Sequence, residues 1–196
     1  MSDALFESAW VPPLVWLVLY TSDYTLTLIC ARLYQAQDKI VFEGSYEITP
    51  MFQADINALR RISPRFVFLL VATTFYLCLM GWWMPPASDS FYWYLVLLGA
   101  MLLGEAAVHV RHVRNWHLFT RVVPHVKGRI EYPRGPMLMA SALDLLAFAV
   151  LYAGVWVVTG HPFLLGGALS CASGSIGHYR LAKRHEAVAH RVAVAS

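Results

Sequence analysis

Long apolar runs separated by short polar segments dominate the hydrophobic pattern of this chain. Each run has about 20 residues, enough to cross a hydrocarbon core about 30 Å thick at about 1.5 Å per residue. We therefore predict an all-α, polytopic membrane protein, with one transmembrane domain over residues 1–196 built as a bundle of five transmembrane helices. The predicted spans are Trp10–Ala31, Phe66–Trp83, Phe91–Val110, Pro136–Thr159 and Pro162–Leu181.

The polar segment between spans one and two contains a pattern of its own. Thr49-Pro50 is typical of a helix start, and Ser63-Pro64 is typical of a helix stop. Apolar and polar residues between them fall on opposite sides at helical spacing. This pattern predicts a short amphipathic helix at the membrane interface, with a plain connector helix as the alternative. The segment 126–133, between spans three and four, predicts a turn or a short hairpin.

Small residues recur every four positions in the fifth run. Such rows let helices approach closely, so we expect this helix at the centre of the bundle or at a subunit interface. The two rows are Gly166, Ser170 and Gly174, and Gly167, Cys171 and Ser175.

The distribution of basic residues predicts the orientation. All fifteen Lys and Arg residues lie between spans one and two, between spans three and four, or near the C-terminus. The connections 84–90 and 160–161 contain none. Because basic residues accumulate on the cytoplasmic side, the N-terminus is predicted outside and the C-terminus in the cytoplasm. The segment 1–7 lacks the basic start and cleavage site of a signal peptide, so the first run should remain a span.

Composition narrows the class of partner. The chain is 58% hydrophobic and 14% charged, with a net charge of +3. Basic residues that border spans face an anionic lipid leaflet, so we predict membrane lipid as a partner and no nucleic acid. The three cysteines all fall within spans and suggest no disulfide framework. Compactness and a preference for Arg over Lys favour a prokaryotic inner membrane.

Three carboxylic acids lie inside apolar runs that contain no Lys or Arg. They are Asp23, Glu105 and Asp144, each in a different run. An ionisable group in hydrocarbon costs roughly 2.5–3.5 kcal/mol and is usually kept where it pairs, lines a cavity or binds a ligand. The pattern therefore indicates a missing cation, which a proton, a metal ion or a histidine could supply.

Histidines accompany these acids. Glu105, His109 and His112 are spaced i, i+4 and i+7, which places them on one helix face. Counting along the spans puts Asp144 and His178 at a similar depth, with Asp23 nearer the midplane. We predict that these residues converge on a common internal site. The predicted ion or proton ligands are Asp23, Glu105, His109, Asp144 and His178.

Three functions fit this pattern. The first is a small transport or channel-like protein that binds or passes a cation or proton, and that forms a homo-oligomer or joins partner membrane subunits. The second is a metalloprotein, either an enzyme on a lipid-type substrate or a redox subunit with haem between His109 or His112 and His178. A divalent metal would draw its ligands from Glu105, His109, His112, Asp144 and His178. The third is an accessory subunit whose polar residues only fix packing. Since the chain has no recognised hydrolytic motif, the sequence leaves open whether it is an enzyme.

Overall fold

Six α-helices and two short strands make up the part of the chain that the structure describes. This computed structural model describes residues 8–195, with side chains through Ala187, and it is 76% helical. The segment 1–7 and the side chain of Arg191 lie outside the described residues. The helices are α1 Val11–Gln35, α2 Gln53–Asn57, α3 Pro64–Trp83, α4 Phe91–His117, α5 Arg134–Thr159 and α6 Pro162–Ala195. The strands are β1 Ile40–Phe42 and β2 Ile130–Tyr132.

Four helices of the described chain are long and apolar enough to cross a membrane. They are Val11–Gln35, Pro64–Trp83, Phe91–His125, which extends α4 through a π turn and a 3-10 turn, and Arg134–Thr159. The protein is therefore an integral membrane protein by its helices. The predicted fifth run also forms a continuous helix, α6, but its many Gly and Ser residues lower its hydropathy below that of the other four.

The two ends of the bundle differ in their side chains. At one end α1 and α4 begin and α3 ends, and four tryptophans there are 65–77% exposed. These are Trp10, Trp82, Trp83 and Trp93. Arg111 and Arg114 on α4, and Arg65 on α3, lie at the opposite end. We call these the tryptophan end and the basic end. Exposed tryptophan at the end of a span is typical of a membrane interface.

Helix α6 packs against both α4 and α5, whereas α4 contacts α1 as well as α6 and is the more central of the two. A Cβ on Gly166 would lie 1.8 Å from the carbonyl oxygen of Val96, and a Cβ on Gly99 would lie 1.8 Å from that of Phe163. The backbones of α4 and α6 therefore touch where neither helix has a side chain. On the α5 side, the Ser175 hydroxyl donates to the carbonyl of Ala142, with 2.7 Å between the oxygens.

The connections at the basic end are joined by a parallel strand pair. Strands β1 and β2 pair with Ile40 opposite Ile130 and Phe42 opposite Tyr132. The hairpin suggested for 126–133 is therefore wrong. The strand in this segment, β2, pairs with β1 in the connection after α1, and not with a second strand of its own segment. Three-residue strands carry too little periodicity to reveal a partner so distant in the chain.

The amphipathic helix predicted after Pro50 is much shorter in the structure. Only Gln53–Asn57 is helical, and Leu59 follows with a φ of 49°, a left-handed conformation that ends the helix. Ile56 is 1% exposed and packs against α1 and α3, whereas Ile62 is 75% exposed. This segment is therefore folded onto the bundle by one buried side chain, without a continuous apolar face.

Ser63 and Asp55 fix the entry into α3. The Ser63 hydroxyl accepts from the Phe66 amide at the helix start and donates to Asp55 Oδ2, with 2.6 Å between the oxygens. Asp55 is buried and also pairs with Arg60 at 3.1 Å. The predicted stop at Ser63-Pro64 is thus the N-terminal cap of the next helix.

Candidate cation-binding site

Polar faces of α1 and α4 meet in the middle of the bundle. Helix α4 contributes Glu105, His109 and His112, the three residues that the sequence places on one face. Helix α1 contributes Ser22 and Asp23, which hydrogen bond to the two histidines. We call these five residues the α1–α4 cluster. Their mutual pairing keeps polar groups away from lipid, where unpaired polar atoms are costly.

Asp23 and His112 are joined by a hydrogen bond within this cluster. His112 Nε2 lies 2.7 Å from Asp23 Oδ1 and 3.2 Å from Thr27 Oγ1. Because a carboxylate oxygen only accepts, we assign a proton to Nε2. The His112 side chain is 5% exposed and the Asp23 side chain 22%. His112 is therefore an internal partner of Asp23, and its ring does not extend towards the headgroups.

His109 is bonded through both ring nitrogens. Nδ1 lies 2.8 Å from the Glu105 carbonyl oxygen, so Nδ1 carries a proton that it donates. Nε2 lies 2.7 Å from Ser22 Oγ, and the same Oγ lies 2.8 Å from the Leu19 carbonyl oxygen. A hydroxyl has one proton to donate. With neutral His109, Ser22 donates to Nε2; with protonated His109, Nε2 donates to Ser22, which then donates to Leu19.

Both charge states of His109 are therefore satisfied by the same atoms. Changing from one to the other requires only rotation of the Ser22 hydroxyl, without movement of a helix. A histidine in such a position can take up and release a proton with little reorganisation of its surroundings.

Two polar atoms of the cluster, Glu105 Oε1 and His112 Nδ1, are buried and have no hydrogen-bond partner among the described residues. One carboxylate oxygen of Glu105 and one of Asp23 lie within 4.8 Å of each other. Two ionised carboxylates repel each other in this position, so a cation between them is strongly favoured. Either a proton or a metal ion meets that need.

The same atoms form a possible metal-ligand set. One ligand atom each from Asp23, Glu105 and His109 lies within 4.8 Å of the others, in a search of the described residues. Two carboxylates and one imidazole suit Zn²⁺, Fe or Mn, and three protein ligands leave positions for water. The bond from His109 Nδ1 to the Glu105 carbonyl fixes the orientation of the ring and leaves Nε2 to bind a metal. A metal on Nε2 would take the place of Ser22.

A cavity of about 200 Å³ reaches the cluster from the basic end. We call it the cluster cavity. Asp23, Glu105 and His112 line its inner part, and Glu47 and Thr49 of the connection after α1 line its outer part. The cluster is thus accessible from the basic end.

The bundle is filled on the other side of the cluster. A buried apolar core occupies the space between α1, α3 and α4 towards the tryptophan end. Its members are Trp16, Leu77, Tyr94, Leu98 and Leu102, each 8% exposed or less. In the described part of the chain, the cavity therefore reaches the cluster from the basic end, and the apolar core separates the cluster from the tryptophan end.

No protein-family model, curated protein or solved structure matches this chain.

Asp144 and His178 lie outside the α1–α4 cluster. Asp144 pairs with Arg114, whose Nη1 lies 2.7 Å from Oδ2 and 2.9 Å from Oδ1. His178 Nδ1 lies 2.9 Å from Ser141 Oγ, and Arg111 donates to the same oxygen at 3.0 Å. The common site expected from all four helices thus separates into two groups. One lies between α1 and α4, and the other joins α4, α5 and α6.

The arrangement does not fit a haem held between α4 and α6. His109 and His112 bond to α1 through Ser22 and Asp23, whereas His178 bonds to α5 through Ser141. The histidines are directed towards different neighbouring helices, so they offer no facing pair of axial ligands.

Sequence reasoning missed four contributors to these groups, which are Ser22, Arg111, Arg114 and Ser141. Ser22 belongs to the polar run Thr21–Thr25, and that run was a usable signal. Arg114 was counted only as a flanking charge, although its side chain reaches Asp144 on the next span. The absence of a basic residue within a run did not mean the absence of a basic partner, because α4 extends beyond the predicted span.

Proposed function

We propose that this protein is a small transport or channel-like membrane protein that binds a cation or proton at Asp23, Glu105 and His109 and passes it across the membrane. The observation that carries the proposal is the buried, unpartnered Glu105 Oε1 beside a second carboxylate. A buried carboxylate beside a second carboxylate is expected to bind a cation, because the cation compensates its negative charge.

The proton is the first candidate for that cation. Ser22 allows His109 to accept or release a proton without moving a helix, as described above. Protons entering the cluster cavity meet Asp23 and Glu105 before His109. Release on the other side requires the apolar core at the tryptophan end to open, so transport by alternating access fits better than a permanently open pore.

A metal ion is the second candidate, supported by the ligand atoms of Asp23, Glu105 and His109 within 4.8 Å of one another. In that function the protein is a membrane-embedded metalloprotein with a divalent ion. The ligands come from α1 and α4, so Asp144 and His178 are not part of the proposed set.

The proposal includes five spans, with α6 as the fifth. It places the basic end in the cytoplasm and the N-terminus outside, since no Lys or Arg occurs in the connections at the tryptophan end. The cluster cavity then opens to the cytoplasm. An inner membrane of a prokaryote remains the proposed location.

A homo-oligomer or a complex with partner membrane subunits completes this proposal. Contacts of that kind would use the outward faces of α3 and α5, because the small-residue rows of α6 are already occupied by α4 and α5. If the protein is only an accessory subunit, isolated protein will show neither cation flux nor bound metal, and copurification from native membranes will identify its partners.

Proton flux into liposomes tests the first candidate. Purified protein is reconstituted with a pH-sensitive dye inside, and a potassium diffusion potential drives proton entry. Wild-type protein is expected to conduct protons, and Glu105→Gln to lower the rate by about tenfold or more because the proton-binding carboxylate is lost. Glu131→Gln is the matched control, since this exposed acid on β2 lies outside the cluster.

Unfolding is excluded by comparing circular dichroism and gel-filtration profiles of each variant with those of the wild type. If both Glu105→Gln and Asp23→Asn conduct protons at the wild-type rate, the cluster is not the pathway and the transport proposal fails.

A further inference from the structure

A second cavity lies beside the cluster cavity, between α4 and the start of α5. Its volume is about 260 Å³. The paired strands cover it on one side with Phe42 and Tyr132, and Arg111 and His112 line both this cavity and the cluster cavity. We call it the α4–α5 cavity. It takes no part in the proposed passage of cations.

Hydrogen-bond donors line the polar wall of this cavity. Arg111, Arg114 and Asn115 follow one another on the last turns of α4, and Ser141 faces them from α5. Arg111 Nη1 donates to Ser141 Oγ at 3.0 Å, which leaves other guanidinium protons for a ligand. Two guanidinium groups within one turn of a helix can contact one phosphate from two directions.

Charge in the cavity favours an anion. Arg114 is paired with Asp144, but Arg111 forms no ion pair with any carboxylate of the described residues. Glu47 also lines the cavity, and its carboxylate accepts from the Thr49 amide at 2.7 Å. Burial raises the pKa of Tyr46, so the phenol beside Asn115 remains neutral. Among the side chains that line the cavity, two arginines therefore stand against one glutamate.

The remaining walls are apolar. They are formed mainly by Leu118, Pro136, Met137 and Ala140. Helices α4 and α5 touch little directly, because α6 fills the space between them on one side. An apolar lining beside a cationic wall, at the basic end of the spans, matches the boundary between headgroups and acyl chains.

We propose that the α4–α5 cavity binds the phosphate group of an anionic amphiphile, with Arg111 as its main cationic contact. The ligand class is a phosphomonoester or phosphodiester with a negative net charge. A membrane lipid headgroup and a free phosphate compound share this chemistry. The proposal is tested by anion binding and not by cation transport, although Arg111 lines both cavities.

Isothermal titration of detergent-purified protein tests this proposal. The probes are dioctanoyl phosphatidic acid, inorganic phosphate and zwitterionic dioctanoyl phosphatidylcholine. We expect phosphatidic acid to bind and phosphatidylcholine to bind at least about tenfold more weakly, because the latter has no net charge. Arg111→Gln should raise the Kd for phosphatidic acid by about tenfold or more.

Two further variants keep the test independent of folding. Ala140→Trp fills the cavity from an exposed position without changing its charge, and it should weaken binding as Arg111→Gln does. Arg121→Gln removes an exposed arginine beyond α4 and should bind as the wild type does. Proton flux is measured separately from anion binding, so failure of this proposal and failure of the transport proposal are distinguishable.

The probes distinguish the two sources of phosphate. Tight phosphatidic acid binding with little inorganic phosphate binding supports a lipid headgroup. Equal, Arg111-dependent binding of both supports a free phosphate compound. The proposal is overturned if neither anion binds, or if Arg111→Gln and Ala140→Trp both bind phosphatidic acid with the wild-type Kd.

Discussion

Ser22 of α1 and His109 of α4 are joined by a hydrogen bond of 2.7 Å, and the Leu19 carbonyl lies 2.8 Å from the same hydroxyl. The Ser22 hydroxyl can therefore donate its proton either to His109 Nε2 or to the Leu19 carbonyl oxygen. We expect Ser22→Ala to slow proton flux by about tenfold or more, because protonated His109 loses its acceptor. Ser22→Thr keeps a hydroxyl and should retain most of the flux. Flux measured between pH 5 and 8 checks both, and equal rates for the Ala and Thr variants would refute the role of the hydroxyl.

The hydrogen bond between Asp23 and His112 predicts coupled effects on stability. The two side chains are largely shielded, so removing either leaves the other without its partner. We expect Asp23→Ala, His112→Ala and the double variant to show a coupling energy of about 1–3 kcal/mol. Titration with dodecyl sulfate measures the free energy of unfolding of the wild type and of each of the three variants. Strict additivity would mean that the pair contributes nothing.

Metal content separates the two candidate functions. Chelator-free protein should contain near-stoichiometric Zn, Fe or Mn if Asp23, Glu105 and His109 form a metal site, and His109→Ala should lose it. His117→Ala is the control, because this exposed histidine at the end of α4 is outside the cluster. Plasma mass spectrometry measures the metals. The absence of a transition metal from wild-type protein rejects the metal candidate and leaves the proton.

The contact between α6 and α4 predicts opposite results for two glycines on one helix. Gly166→Ala would place a Cβ 1.8 Å from the Val96 carbonyl, so we expect it to cost about 1–3 kcal/mol or more. Gly177 has nothing within 4 Å of an added Cβ, and Gly177→Ala should be neutral or stabilise by up to about 1 kcal/mol. The dodecyl sulfate titration applies here too, and equal effects would show that α6 does not pack this closely.

The apolar runs were enough to predict four spans, because hydropathy over about 20 residues is a local property. The grouping of Glu105, His109 and His112 on one face was also local, since helical spacing alone determines it. The partners of those side chains were not predictable in the same way. Which helix Asp144 meets depends on how α4, α5 and α6 pack, and Arg114 lies beyond the predicted end of its span.

The connections were the least predictable part of the chain. The strand pair joins residues about 90 positions apart, and neither strand has a pattern of its own. Leu59 ends α2 in a left-handed conformation that leucine rarely adopts, so its sequence indicated a longer helix. Tertiary packing of Ile56 onto α1 and α3 decided the local conformation there.

The close approach of α6 to α4 has a consequence for biogenesis. Helix α6 follows α4 and α5 in the chain, yet it is less apolar than either and is held by contacts with both. Because α6 is synthesised after α4 and α5, the surface of α4 around Gly99 lacks its partner until α6 reaches it. Substitutions that block this contact should leave a chain that is made but assembled incompletely.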